Sequence, residues 1–315
     1  MKFTRIVSAF CLISFFLVSF IFPQNKSKDK KSKEKPVVVK ANVAVLDTNG
    51  NLVNDIKLEN LTVFEDGIEQ KITYFAQKEP ILNLVLVFDN TGSMRKNFDE
   101  IFKISSVFGD LFLLDKNEVF VVRFVDSDKI EIKQEWTSSK KDAQEAIDLM
   151  YIEGGQSAIL DAVYLSAETL LAREKHVKSK RYAMLLISDG EDRDSYYDYK
   201  QTIALFGGTD LQVFLLSFAE TAPKDKKDAR FLTHLLTLET GGTAYLMPKK
   251  FTQNDIIEAL KKIAGELRSQ YVIGYTSTNQ KRDGSMRKLT VQVADSEKGE
   301  KRQGFIREGF VVPKD

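Results

Sequence analysis

Residues 84–94 read Leu-Val-Leu-Val-Phe-Asp-Asn-Thr-Gly-Ser-Met, an apolar run that stops at Asp89 and is followed by hydroxyls at Thr91 and Ser93. A short apolar run without alternation is the pattern of a strand buried on both faces, as in a sheet covered by helices on either side. The polar residues then leave from its carboxyl end, where open α/β sheets hold their ligands. Asp89, Thr91 and Ser93 all offer hard oxygen, the donor type preferred by Mg²⁺, Ca²⁺ and Mn²⁺. The stretch points to a hard-metal site at the end of a central strand.

The pattern downstream agrees with such a sheet. Ile101, Ile104, Val107, Phe108, Leu111 and Phe112 recur at helical spacing, which predicts one amphipathic helix over Lys96–Leu114. Strands are expected at Asn117–Phe124 and, at a sheet edge, Lys129–Trp136; a helix capped by Thr137, Ser138 or Ser139 runs through Met150. A glycine-flanked loop carrying Ser157 leads to a helix over Ile159–Arg173. The second buried-type strand, Tyr182–Ser188, also ends on a carboxylate, Asp189. Helices at Asp198–Phe206, Asp228–Glu239 and Asp255–Gln270 alternate with strands at Leu211–Phe218 and Thr243–Met247. Alternation of this kind implies a doubly wound, mostly parallel sheet over residues 80–270. Asp89 and Asp189 then stand at the ends of strands that can be neighbours at the switch point, with Ser157 as a third wall.

Both flanks lack helical periodicity. Val37–Leu46 alternates and ends in a turn with Asn49-Gly50, while Leu61–Phe64 and Lys71–Phe75 around Glu65-Asp66-Gly67 read as a second hairpin. At the other end Tyr271–Tyr275, Arg287–Ala294 and Gly304–Val312 are strand-like. An isolated three-stranded sheet is marginal. The segments 37–79 and 271–315 are therefore expected to pair into a small β module flanking the α/β domain.

The remaining stretches concern export. Lys2 and Arg5 precede an apolar segment, Ile6–Phe22, which reads as a secretory signal peptide over residues 1–24, an uncleaved anchor being the other reading. Residues 25–36 form a lysine-rich linker with nothing apolar to bury before its last residues. The sole cysteine, Cys11, lies in the apolar segment, so the mature chain has no disulfide or thiol chemistry. An exported protein is expected, in periplasm, cell surface or medium, with no integral span after signal removal. Lys+Arg total 46 against 45 Asp+Glu, so no whole-protein field recruits nucleic acid. The two histidines, His176 and His234, stand apart from the motifs, and no Gly-x-Ser-x-Gly elbow or His-Glu-x-x-His pair is present.

Three motifs carry a resemblance. Asp89-x-Thr91-Gly92-Ser93, the loop Gly154-Gly155-Gln156-Ser157-Ala158 and Ser188-Asp189-Gly190 resemble the metal-ion-dependent adhesion site (MIDAS) of von Willebrand factor type A (VWA) domains. That family's pattern is Asp-x-Ser-x-Ser, a separate Thr and a separate Asp. Thr91 replaces a serine and Ser157 the threonine, each keeping its hydroxyl. The segments 63–72 and 266–275 are similar to an exported bacterial VWA-related group. The resemblance implies a Rossmann-like fold and a non-enzymatic module that binds a protein partner's acidic side chain through Mg²⁺, or Mn²⁺ or Ca²⁺. Asp89, Thr91, Ser93, Ser157 and Asp189 would hold the metal.

Other readings of these residues stay open. Asp89, Thr91 and Ser93 are good helix caps, so a metal-free VWA-like scaffold serving a structural or regulatory interaction is one alternative. Asp89-Asn90-Thr91-Gly92-Ser93 also resembles the phosphorylation motif of P-type ATPases, in which Asp89 would form an aspartyl phosphate, although Asn90 stands where that motif has lysine. Glu191, Asp192, Asp194, Tyr196 and Tyr197 are either a partner-binding rim or a solvated acidic loop.

Overall fold

A computed structural model describes residues 36–77, 81–176, 180–206, 209–219, 236–312 and 314. The expected leader, nearly all of the lysine-rich linker, His234 and most of the helix expected at Asp228–Glu239 lie outside these residues. Strands β1 (Val38–Asp47), β2 (Leu61–Glu65), β3 (Ile68–Gln70) and β4 (Ile72–Gln77) precede the apolar run, which is β5 (Leu82–Asp89). Helices α1 (Arg95–Phe102) and α2 (Ser105–Phe112) lead to β6 (Glu118–Phe124), β7 (Ile130–Thr137) and α3 (Lys140–Asp148). Next come α4 (Ile159–His176), β8 (Arg181–Ser188), α5 (Tyr199–Phe206), β9 (Gln212–Ser217) and β10 (Ala244–Leu246). Helix α6 (Gln253–Ser269) runs into β11 (Tyr271–Thr276), followed by β12 (Met286–Val293), β13 (Arg302–Phe305) and β14 (Gly309–Val311).

The central sheet has the order β10-β9-β8-β5-β6-β7, all parallel except the β7 edge. Every residue of β5 and β8 is buried, as the lack of alternation requires. Strand alternation divides β5 between two cores. Leu84, Leu86 and Phe88 pack with Phe98, Phe108, Ile256 and Leu260. Val85 and Val87 face the other way, toward Ile159, Val163 and Leu170 of α4. The chain leaves β5 toward β6 on one side and reaches β8 on the other, so the switch point lies between β5 and β8.

The helix expected over Lys96–Leu114 is two helices. Ile104, at φ −116° and ψ 18°, leaves the helical region while its side chain stays buried. The break lets Phe98 and Ile101 on α1 and Phe108 and Phe112 on α2 all reach one core. The second N-terminal hairpin also differs from expectation. Asp66 and Gly67, with φ of 49° and 79°, make a tight turn that pairs β2 with β3, not with Ile72–Gln77. The strand at Ile72–Gln77 instead crosses to another sheet and pairs with β11.

The chain ends do pair, in two four-stranded sheets, β13-β1-β11-β4 and β14-β12-β2-β3. N-terminal β1 lies between C-terminal β11 and β13, and N-terminal β2 pairs with C-terminal β12. Val39, Ala41, Val43, Val63, Tyr271, Ile273 and Leu289 share their core. Inside it Arg287 donates to Glu65 at 2.8 Å with both side chains buried, and Ser277 Oγ donates to Glu65 Oε1 at 2.6 Å. A charge there is tolerated only because it is paired. Arg181, at the start of β8, donates to Asn42 of β1 (3.2 Å) and to the carbonyl of Leu267 at the end of α6, joining module and central sheet.

Candidate metal centre

Each loop at the switch point is held by bonds that the local sequence supplies. Asp89 ends β5 fully buried. Its Oδ1 accepts from the Thr91 backbone N–H (3.0 Å) and the Thr91 hydroxyl (2.6 Å), and the Thr91 and Ser93 hydroxyls lie 3.0 Å apart. Its Oδ2 accepts from Ser188 Oγ at 2.6 Å, and Ser188 Oγ in turn accepts from the Gly190 N–H. Asp189 is also buried and close enough that its charge acts on Asp89. Burial first, and the neighbouring Asp189 carboxylate second, push the Asp89 carboxyl up to about 7.

The third loop reaches the same place. Glu153 N–H donates to the Asn90 carbonyl (2.9 Å), and Asn90 Nδ2 donates to the Tyr151 carbonyl (2.8 Å), tying residues 151–153 to the loop after β5. Arg123, buried on β6 and in register with Phe88, makes a bidentate pair with Glu131 and also reaches Glu153 and the Tyr151 carbonyl. At Gly155, φ 156°, a Cβ would stand 2.3 Å from Val125 Cγ1 and 2.6 Å from Asp126 Oδ1, so only glycine fits. Ser157 follows in the left-handed region at φ 66°, and its carbonyl accepts the Arg193 and Asp194 N–H groups at 2.9 and 3.1 Å. Its own Oγ is buried with no partner.

Asp89, Thr91, Ser93 and Asp189 are thus brought together by direct bonds and by charge. Ser157 joins through the backbone of its loop, which is bonded on one side to Asn90 and on the other to the loop after Asp189. The set fits a hard cation. The buried Asp89 carboxylate accepts only from hydroxyls and a backbone N–H, and the orphaned buried hydroxyl of Ser157 is a group that calls for a ligand. Among the described residues there is no cluster of three or more His, Cys, Asp or Glu, so a metal here would rest on hydroxyls as much as on carboxylates.

Three contributors were given no role from the sequence, although Ser188 and Asp161 stand within the motifs read there. Ser188 is the polar residue closing an apolar strand, a visible signal. Asp161, in the first turn of α4, is buried, and its two oxygens accept the N–H groups of Tyr196 (2.9 Å) and Tyr197 (2.8 Å). Arg123 had no signal, because a lone arginine in a strand pattern says nothing about its partners. Asp192 accepts from the Leu160 N–H (3.2 Å) and Ser195 Oγ (2.6 Å), so it caps α4. Burial moves its carboxyl upward.

The sheet order, the switch-point loops and their oxygen donors define a module of the open α/β class. The chain belongs to the von Willebrand factor type A domain family, whose model matches residues 83–283. Domains of this family generally mediate protein interaction, and many bind a divalent metal. Solved structures with a similar fold include an aerotolerance-related membrane protein from Bacteroides fragilis bearing multiple mutations to serine. It is 15% identical, covers 59% of this chain and 99% of its own, and has a TM-score of 0.44. A von Willebrand factor type A protein from Catenulispora acidiphila is 11% identical, with coverage of 90% and 74% and a TM-score of 0.46. The conserved hypothetical protein BatB from Bacteroides thetaiotaomicron is 13% identical, with coverage of 59% and 98% and a TM-score of 0.42. No curated protein matches the chain. Among the described residues no helix is long and apolar enough to cross a membrane.

Proposed function

We propose that this chain is an exported, divalent-metal-dependent protein-binding module whose metal takes a carboxylate from its partner. Asp89, Ser93 and Ser157 would hold Mg²⁺ directly or nearly so, with Thr91 and Asp189 acting directly or through water. The metal supplies a Lewis-acidic position for an acidic side chain of an adhesion or assembly partner. One observation carries the reading: the fully buried Asp89 carboxylate, near enough to Asp189 to feel its charge, accepts only from hydroxyls and a backbone N–H, while the loop bonded to Asn90 holds the unpartnered Ser157 hydroxyl. Ionising a buried carboxylate beside a second one is costly without a cation. Calorimetric titration with Mg²⁺ and Mn²⁺ tests it: the wild-type chain binds and Asp89→Ala does not. Equal titration of both removes the assignment.

A metal-free interaction scaffold has its own support, since Thr91 and Ser188 already satisfy both oxygens of Asp89. It predicts that neither protein titrates. The burial of Asp89 weighs against an aspartyl-phosphate nucleophile, which must meet its substrate in line. The proposal keeps the division into a leader (1–24), linker (25–36), β segments (37–79 and 271–315) and a central domain (80–270).

A further inference from the structure

We infer that the end of β6 and the turn after it, residues 124–129, form the positioning element of the metal centre, and that Asp126 is the residue through which it sets Ser157. The inference rests on the metal-binding reading of the site and gives a role to residues outside the family's metal pattern. No candidate ligand lies on this turn, yet each of the three loops that carry the ligands is bonded to it. The Asn90 N–H, in the loop after β5, donates to the Phe124 carbonyl at 2.9 Å. In the Ser157 loop the Gln156 N–H donates to Asp126 Oδ1. Ser127 donates its N–H and its hydroxyl to Asp194 Oδ2, in the loop after Asp189, at 3.2 and 3.1 Å. Lys129 adds an ion pair with Glu153.

The turn has a fixed base. Phe124 and Val125 are fully buried. The Val125 N–H donates to the Lys129 carbonyl at 3.1 Å and the Lys129 N–H to the Asp126 carbonyl at 3.0 Å, which closes a β-turn with Asp126 at its first position. Aspartate is favoured there.

The Ser157 loop is where this support matters most. Ser157 has φ 66°, a conformation that a residue with a Cβ keeps only when its surroundings impose it. Two sets of bonds do so: the Gln156 N–H on Asp126, and the Arg193 and Asp194 N–H groups on the Ser157 carbonyl. Gly155 seats the loop so close to Val125 and Asp126 that no Cβ fits between. The result is a buried Ser157 hydroxyl with no protein partner, held at the centre by its backbone alone. Without the bond to Asp126 the Gln156 peptide is free to turn, and Ser157 relaxes toward ordinary backbone and takes its hydroxyl out of the site. Asp126 therefore acts through Ser157, and what it supplies is an acceptor, which asparagine also offers.

The test compares wild type, Asp126→Ala and Asp126→Asn by residue-resolved hydrogen exchange in EDTA, Mn²⁺ titration followed by electron paramagnetic resonance, and urea denaturation. In Asp126→Ala the Gln156 amide is expected to exchange about tenfold faster, as loss of its acceptor implies. Mn²⁺ binds that variant about tenfold more weakly, the usual cost of removing a group that orients a metal ligand. Asp126→Asn restores both readings to within about twofold of wild type. A lower urea midpoint for Asp126→Ala with unchanged Mn²⁺ affinity overturns the inference, because the role is then structural only. So does an Asp126→Asn that binds Mn²⁺ as weakly as Asp126→Ala, which makes the carboxylate charge the cause. If wild type takes no Mn²⁺, the metal reading falls by itself and exchange in EDTA decides the positioning role: an unchanged Gln156 rate in Asp126→Ala overturns it.

Discussion

Asp89→Asn separates proton, metal and fold at the proposed centre. Burial first, and the neighbouring Asp189 carboxylate second, push the Asp89 carboxyl from the ordinary aspartate value of about 4 up to about 7. Its folded-state value lies above the unfolded one, so the native state keeps a proton that the unfolded chain has released. Stability therefore falls as pH rises from about 4 to about 7 and levels off above. The rise from about 4 to about 7 corresponds to at most about 4 kcal/mol of destabilisation at pH 8. Asparagine removes the ionisation and keeps one carbonyl acceptor. The hydrogen bonds it weakens, with Thr91 and Ser188, are each worth about 1 kcal/mol. Net, Asp89→Asn is about 2 kcal/mol more stable than wild type near pH 8 in EDTA, and the advantage disappears near pH 5. Mg²⁺ replaces the proton on Asp89, so it stabilises wild type and not the variant, and its apparent affinity drops about tenfold per unit below pH 7. Urea denaturation in EDTA and in Mg²⁺ across this range reads all three. A wild-type minus variant difference that is flat with pH, or equal stabilisation of both proteins by Mg²⁺, refutes the reasoning.

Ser157→Ala deletes a hydroxyl that has no partner in the metal-free protein. It should change urea stability in EDTA by less than about 0.5 kcal/mol yet weaken Mg²⁺ binding in calorimetry. Gly155→Ala, whose Cβ would meet Val125 Cγ1 at 2.3 Å, is expected to cost about 2 kcal/mol in the same denaturation assay and to weaken Mg²⁺ through the displaced Ser157 loop. In the β module, Glu65→Ala leaves the Arg287 guanidinium buried and should cost about 3–5 kcal/mol. The Glu65→Met, Arg287→Met double variant recovers much of that loss; no recovery in urea titration argues against desolvation as the cause. Asp161→Ala strips two N–H groups of their acceptor. Hydrogen exchange at Tyr196 and Tyr197 should accelerate while β5 and β8 stay protected.

The parts of this protein legible in its sequence are those set by local periodicity. β5 and β8 announce burial on both faces because no polar residue interrupts them, and their terminal carboxylates mark the ligand edge. That β5 and β8 can be neighbours at the switch point followed, since parallel connections have few topologies to choose from; the full strand order came only with the structure. Asp89, Thr91 and Ser93 were visible together because they share one turn of chain. What periodicity could not show were arrangements in which distant residues settle a local choice. The apolar spacing over Lys96–Leu114 suits one helix, but the curvature of the core breaks it at Ile104. The tight turn at Asp66-Gly67 decides where β2 pairs, and the other sheet then claims Ile72–Gln77. Asp192 reads as one more surface acid until the start of α4 comes to rest against it. Arg123 acquires meaning only when folding sets Glu131, Glu153 and Tyr151 around it. A strand's pattern records whether its faces meet water, whereas hydrogen-bond partners far apart in the chain are chosen only when the tertiary structure removes water from all of them at once.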